Sequence, residues 1–244
     1  MKRKLSVIIP FYKEIDLISR AVLSIFSQSQ DDWEFEVIVI NDGPFKEADI
    51  TKAIGADNVT VIANKQNKGP GGARNTGLDF ASGDLIAFLD ADDFWLDGKI
   101  ASQLLAVSEN ANFICTGYRF ESGNAVVNPP TSISKSIDIF LKQGVGTSTV
   151  LLTKKLLGST RFNDYRFSQD IDLWYRLAEK TEFKYLSIQE PLVFYYTGGS
   201  TKNKVTQAKS LMNVLNKNRI SLMLKVYIMT RYFIRGVYNH YLRG

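Results

Sequence analysis

Apolar residues recur along this chain in two alternating periods. Leu5-Ser6-Val7-Ile8-Ile9-Pro10 is a short run rich in β-branched residues, which predicts a strand. Ile15, Ile18, Val22, Ile25 and Phe26 then follow helical spacing, so a helix is expected over 15–26. Phe35 to Ile40 predicts a second strand and Val59 to Ala63 a third. Gly72 to Ala81 predicts a helix, and Leu85 to Leu89 a fourth strand. Strands alternating with helices imply parallel pairing through right-handed crossovers. Ligands of such sheets bind beyond the carboxyl ends of the strands. Polar clusters stand at those ends: Tyr12-Lys13-Glu14, Asn41-Asp42-Gly43 and Asp90 to Asp93.

Beyond residue 100 the alternation loosens. Helices are expected over Ile100–Val107 and Asp170–Ala178, and extended segments over Phe113–Phe120, Thr147–Leu152, Phe183–Ile188 and Leu192–Tyr196. This mixed half suits recognition of a second substrate. The expected organisation is an α/β domain over 1–200, with a nucleotide-binding half (1–110) and an acceptor half (111–200), followed by a basic helical tail (201–244).

Charge divides the chain the same way. Of 30 Lys and Arg, nine follow Glu190, and no acidic residue does; the remaining 21 face 25 acids, a net of −4 for residues 1–190. The net +5 is therefore a property of the tail. Leu211 to Leu242 is dense in apolar and aromatic residues, but cations interrupt it too often for a spanning helix of about 20 apolar residues. The tail, 203–244, reads as a helix lying on an anionic membrane surface, or as one packed on the body or on a homodimer partner. With no recognisable nucleic-acid module, no nucleic-acid partner is expected. The single cysteine, Cys115, lies in an apolar run and reads as an inert core thiol. With no signal-peptide core after the basic start, it suggests a cytoplasmic protein, peripheral on the inner face of the cell membrane.

The candidate chemistry is carboxylate chemistry. The apolar run 85–89 ends abruptly in Asp90, Asp92 and Asp93. Mg²⁺ and Mn²⁺ favour one or two carboxylates plus phosphate oxygens, so Asp92 is assigned to the metal through a diphosphate. Asp90 is assigned to the ribose or a metal-bound water, and Asp93 to capping or orienting the loop. Asp42, before Gly43, is a turn residue if taken alone and a nucleobase acceptor beside the other motifs. The stretch Asn67-Lys68-Gly69-Pro70-Gly71-Gly72-Ala73-Arg74 opens a helix with glycines, which permit close approach of an anion. Arg74 is expected in the first turn, in reach of a phosphate. Asp170 stands at a helix start, as an N-cap or a catalytic group, or both. Asp172, two residues on, faces elsewhere and is expected in a structural pair. The only histidine, His240, lies in the tail, so Ser-His, Cys-His and His-zinc chemistry are not expected in the body.

Together these motifs resemble the family-2 glycosyltransferases of bacterial polysaccharide and O-antigen assembly, over about residues 4–200. Ser-Val-Ile-Ile-Pro-Phe-Tyr resembles the family's first strand, Val-Ile-Asn-Asp-Gly-Pro its Val-Asp-Asp-Gly-Ser motif, and Asn-Lys-Gly-Pro-Gly-Gly-Ala-Arg-Asn-Thr-Gly its glycine-rich motif. Asp90-Ala91-Asp92 matches Asp-x-Asp, and Gln169-Asp170 resembles the segment carrying the catalytic Glu-Asp. Gln169 departs from the family glutamate, and Asn41 from the aspartate of many members. The resemblance implies a GT-A fold, a Rossmann-like, mostly parallel sheet with helices on both faces. It implies inverting transfer from a nucleotide-diphosphate sugar, most often UDP, with Mn²⁺ or Mg²⁺, to a glycan or lipid-linked saccharide. Asp170 would be the base. Pro10, Tyr12, Glu14, Asp42, Asn67, Gly69, Arg74, Asp90 and Ala91 would bind the nucleotide, and Asp92 the metal. Thr147, Gln169 and Trp174 would lie on the acceptor side. The family often has a His or Arg near Tyr195–Ser200 that reaches the diphosphate; Lys202 or Lys204 would supply that charge here. The rival readings are a sugar nucleotidyltransferase, whose Gly-x-Gly-Thr-Arg loop is replaced here by Pro10-Phe11-Tyr12-Lys13, and a non-catalytic membrane-bound scaffold.

Overall fold

A computed structural model describes residues 2–28, 30–121, 125–165, 167–196 and 204–241, with side chains of the last stretch described over 205–234. The chain forms β1 (Arg3–Phe11), α1 (Ile18–Phe26), β2 (Trp33–Asn41), α2 (Glu47–Ile54), β3 (Val59–Ala63), α3 (Gly69–Phe80), β4 (Leu85–Phe88), β5 (Phe94–Trp95) and α4 (Lys99–Ser108). There follow β6 (Phe113–Phe120), β7 (Val126–Val127), α5 (Asp138–Lys142), a 3₁₀ turn (Thr147–Thr149), β8 (Leu151–Thr153), α6 (Lys154–Leu157), α7 (Gln169–Ala178), β9 (Tyr185–Tyr195), α8 (Lys204–Lys217) and α9 (Leu222–Tyr241).

One sheet runs β3-β2-β1-β4-β8-β6-β9-β5, with β7 paired to β6. It is parallel from β3 to β4. Beyond β4 it is mixed, because β8 enters antiparallel to both β4 and β6 while β9 runs parallel to β6. Side chains alternate across the strands. Ile8, Ile38, Ile40, Ile86 and Phe88 face one core with residues of α3, α7 and α8. Leu5, Val7, Ile9, Val37 and Val39 face the other with α1, α2 and α4. Helix α3 lies so close to β1 that a Cβ on Gly77 would stand 2.4 Å from Ile8 Cγ2.

Four expected elements differ, the first being α1, which begins at Ile18 rather than Ile15 because residues 15–17 form a turn. The glycine-rich helix begins at Gly69 rather than Gly72, since Pro70 in its first turn fits where no backbone donor is needed. The strand expected over 147–152 is a 3₁₀ turn and then β8, because Thr149 turns back to Gly146, donating to its carbonyl from both N (3.1 Å) and Oγ1 (2.7 Å). The two extended segments 183–188 and 192–196 are one strand, β9. Its register against β6 shifts between Thr116 and Gly117, so Pro191, which has no N–H to give a ladder, is carried by a bulge.

The tail divides. In α8, Ala208, Leu211, Val214 and Leu215 are buried, and Leu211, Val214 and Leu215 join the core that holds α7. Ser210 Oγ donates to the Phe167 carbonyl (2.5 Å) and Asn218 Nδ2 to Asp172 Oδ1 (2.8 Å). The tail helix thus grips the segment leading into α7. Ile228 of α9 is buried on the same core.

Candidate active site

The parallel strands deliver their polar ends to one edge. Asp42, just past β2, is buried, and its backbone N donates to the Phe11 carbonyl of β1 (2.8 Å). Its carboxylate accepts from Asn64 Nδ2 (2.8 Å) and from the Lys68 N–H (2.9 Å to Oδ1), tying the loop after β3 to the end of β2. Asn67 Nδ2 donates to the Asp42 carbonyl (2.9 Å), while its Oδ1 accepts from the Gly69 N–H (3.1 Å). Gly69 has φ +69°, a conformation suited to glycine at this bend. Asn41 holds its own turn, through Phe45 O (2.6 Å) and Gly43 N (3.1 Å). A Cβ on Gly43 would fall 1.7 Å from Tyr12 O, so only glycine lets this turn meet the end of β1. Glu14 Oε2 accepts from the Tyr12 and Lys13 amides (3.0 and 2.8 Å), and the Tyr12 ring is half exposed. Pro10 and Ala91 are buried within the frame, so neither offers side-chain surface to a ligand.

Arg74 stands elsewhere than expected. It is the sixth residue of α3 rather than in the first turn, and it is buried. Its guanidinium pairs with Asp90 Oδ1 (2.5 Å) and lies 5.5 Å from the Phe162 ring centre.

Past β4 the acidic run divides. Asp93 is buried and accepts from Ser148 Oγ (2.6 Å) and the Tyr196 N–H (3.0 Å), so it orients the loop. Burial, with Asp90 and Asp92 beside it, pushes its carboxyl well above the ordinary range. Asp92 is less buried. Desolvation first, then the charges of Asp90 and Glu14, push its carboxyl up to about 6, against the opposing charge of Arg20. Arg20 Nη2 donates to the Asp92 carbonyl (3.0 Å).

Asp170 is the second residue of α7, behind Ser168 in a left-handed conformation (φ +59°). Thr147 Oγ1 donates to Asp170 Oδ2 (3.0 Å), and the Ile171 N–H to Oδ1 (2.9 Å). The next residue of the turn, Ser148, bonds Asp93 through Oγ, which also accepts from the Asp90 N–H (3.1 Å). Adjacent residues of one turn therefore hold Asp170 on one side and the Asp90–Asp93 loop on the other. Gln169 is buried, and a Cβ on Gly71 would lie 2.8 Å from its Oε1, which brings the starts of α3 and α7 together.

Trp174 is a correction. It is fully buried among Phe113, Phe88 and Phe162, with ring centres 5.1, 6.1 and 6.2 Å away, and does not face an acceptor. The apolar stripe of α7 turns it onto the sheet with Leu173 and Leu177. Asp172 makes the expected structural pair: it is fully buried and holds Arg176 (2.8 Å), Asn163 (2.6 Å) and Asn218. Cys115 is the expected core thiol, pushed up to about 12 by burial. The segment Thr197–Ser200, Lys202 and the side chains of Lys204 and His240 lie outside the described residues. Arg20, Asn64, Asn163 and Asn218 had no signal in the sequence, since each acts on a partner 9 to 72 residues away.

Among the described residues no group of three or more His, Cys, Asp and Glu side chains is placed to hold a metal alone. The donor set fits a cation shared with a diphosphate: Asp92, crowded by Asp90 and Glu14, is a carboxylate whose negative surroundings favour a positive partner.

Comparison with known proteins bears on this geometry. The family description Glycosyl transferase family 2 matches residues 6–170. The *Escherichia coli* UDP-Glc:alpha-D-GlcNAc-diphosphoundecaprenol beta-1,3-glucosyltransferase WfgD is 27% identical over 241 residues, covering 96% of this chain and 94% of its own. The *Campylobacter jejuni* GalNAc(5)-diNAcBac-PP-undecaprenol beta-1,3-glucosyltransferase is 29% identical over 201 residues, 74% of this chain and 61% of its own. Among solved structures, *Staphylococcus aureus* TarS 1–349 in complex with UDP superposes with a TM-score of 0.69 at 18% identity, over all of this chain and 73% of its own. The *Pyrobaculum calidifontis* mannosyltransferase PcManGT, with GDP-Man and Mn²⁺, gives 0.66 at 16% identity, over 91% of this chain and 65% of its own. The two structures show the fold, which is GT-A. The match over 6–170, on a sheet whose strand ends carry the family's motifs in order, places the chain in glycosyl transferase family 2, the inverting enzymes that move a sugar from a nucleotide-sugar donor to an acceptor.

Proposed function

We propose that this enzyme transfers a sugar from a UDP-sugar to a hydroxyl of a lipid-linked saccharide during surface polysaccharide assembly, using Mn²⁺ or Mg²⁺. The observation that carries the reading is the Thr147-Ser148 turn, which holds Asp170 beside the Asp90–Asp93 loop. A base and a donor-binding edge held by one turn suit displacement at a single carbon lying between them. The donor class is supported by WfgD, named for UDP-Glc, and by TarS in complex with UDP. The acceptor class is supported by WfgD and its *Campylobacter* counterpart, both named for undecaprenol-linked acceptors. UDP-glucose is the first donor to test. The bound cation would supply Lewis acidity toward the departing diphosphate.

In this reading Asp42 accepts from the nucleobase with lone pairs left over by Asn64 and Lys68. Tyr12, Glu14, Asn67 and Gly69 shape the pocket around the nucleoside. Asp90 meets the ribose, and Arg74 fixes Asp90 rather than touching phosphate. Asp92 holds the cation. Asp170 takes the proton of the acceptor hydroxyl as it attacks the anomeric carbon, with inversion in one step. Thr147 fixes the rotamer of that carboxylate, and Gln169 lines the acceptor side. The enzyme works in the cytoplasm, peripheral to the inner face of the cell membrane, where a lipid-linked acceptor is within reach.

Calorimetry with UDP, GDP, dTDP and CMP, with and without Mn²⁺, tests the reading. UDP binding that needs Mn²⁺ and is lost in Asp92→Ala is the expected result. No binding of any nucleotide by the folded protein would refute it.

A further inference from the structure

Helix α9 has two apolar faces. Ile228 is buried, and Met229 and Tyr232 pack against the core with it. Met223, Val226, Tyr227, Phe233 and Ile234 recur three, four, seven and eight residues apart on the other side, with Thr230 among them. All five are exposed, Met223 at 86% and Ile234 at 62%. One apolar stripe on a helix is accounted for by the core it covers. A second stripe on the opposite side, about 16 Å long at the helical rise, is unexplained by the fold.

We propose that this outer face of α9 is the surface on which the protein rests on an anionic lipid bilayer. The proposal rests on the peripheral location proposed above and gives it a surface. Charge selects the bilayer over a second copy of the chain. Nine cations and no acid follow Glu190. Lys209, Lys217, Arg219 and Arg231 are exposed. Among the described residues none of these four is paired with a carboxylate. Arg231 borders the stripe on α9, so two copies meeting through that face would bring like charges to the seam, whereas anionic headgroups neutralise them. At the rim of the stripe, Arg231 Nη1 donates to Tyr227 Oη (3.2 Å) and lies 5.7 Å from its ring centre. That pair sets a polar tip and a cation at the level where an apolar face meets headgroups. Among the described residues no helix is long and apolar enough to cross a membrane, so α9 would lie along the surface.

Co-sedimentation of the full chain with vesicles decides the matter. Vesicles of phosphatidylcholine with phosphatidylglycerol should bind the protein, and vesicles of phosphatidylcholine alone should not. The double variant Phe233→Ser/Ile234→Ser, and separately Arg231→Glu, should each weaken binding by about tenfold, with UDP affinity and melting temperature unchanged. If one variant fails to fold, the other carries the test. Absence of binding by the folded wild type would overturn the proposal. So would a dimer in sedimentation that Phe233→Ser/Ile234→Ser makes monomeric, since a second copy would then occupy the stripe. UDP binding is read on the same samples, so failure of this surface and failure of the transferase reading are separable.

Discussion

The proposed donor edge and the proposed acceptor side of this site are built in opposite ways. Each proposed donor element is a short contiguous motif at or after the end of a strand: Tyr12–Glu14 after β1, Asp42 after β2, Asn67–Gly69 opening α3, Asp90–Asp93 after β4. Parallel pairing in register brings the motifs to one edge, where Arg20, Arg74 and Ser148 fix the Asp90–Asp93 loop. The acceptor side has no such frame. Asp170 is positioned by Thr147, 23 residues earlier, and its helix by Asn163 and Asn218 acting on Asp172. A site made of strand ends survives as long as its sheet does. A site made of long-range side-chain bonds depends on each bond separately.

Substitutions can test that difference. The largest effect is expected from Asp170→Asn, which should lower turnover by about 10²–10⁴-fold, the usual contribution of a general base. UDP affinity measured by calorimetry should stay at the wild-type value. A variant that lost UDP binding as well would show that the two sides are not separate. Next comes Trp174→Ala. Deleting an indole packed among Phe88, Phe113 and Phe162 should cost about 3–5 kcal/mol in urea unfolding. A cost below about 1 kcal/mol would contradict its place in the core. The smallest effect is expected from Thr147→Val. It should lower turnover about tenfold, the scale of one hydrogen bond to a charged group, with Thr147→Ser restoring most of it. A change confined to UDP affinity would move Thr147 to the donor side.

The same contrast explains what was legible in the sequence. Strands β1 to β4 and the carboxylates after them were readable because a short β-branched apolar run and the residue at its end are local properties. Asp172 and Cys115 were readable for a similar reason, one from its offset to Asp170 and one from its apolar neighbours. Arg74 was misplaced because Pro70 moved the helix start back to Gly69, shifting it from the first turn to a buried contact with Asp90. Trp174 was ambiguous because an aromatic on an apolar stripe looks the same whether it faces a core or a ligand. Thr147 was singled out, but its partner was not, since nothing in periodicity links residue 147 to residue 170. The tail's composition was plain while its division was not: the burial of α8 depends on a core assembled from α7 and the sheet.

The grip of α8 on the α7 segment has a consequence for synthesis. Ser210 and Asn218 fasten the loop and helix that carry Asp170. As the chain leaves the ribosome, the residues of the proposed donor edge, up to Asp93, are made more than a hundred residues before these two fasteners. Anchoring of the segment that carries Asp170 thus waits until α8 has docked.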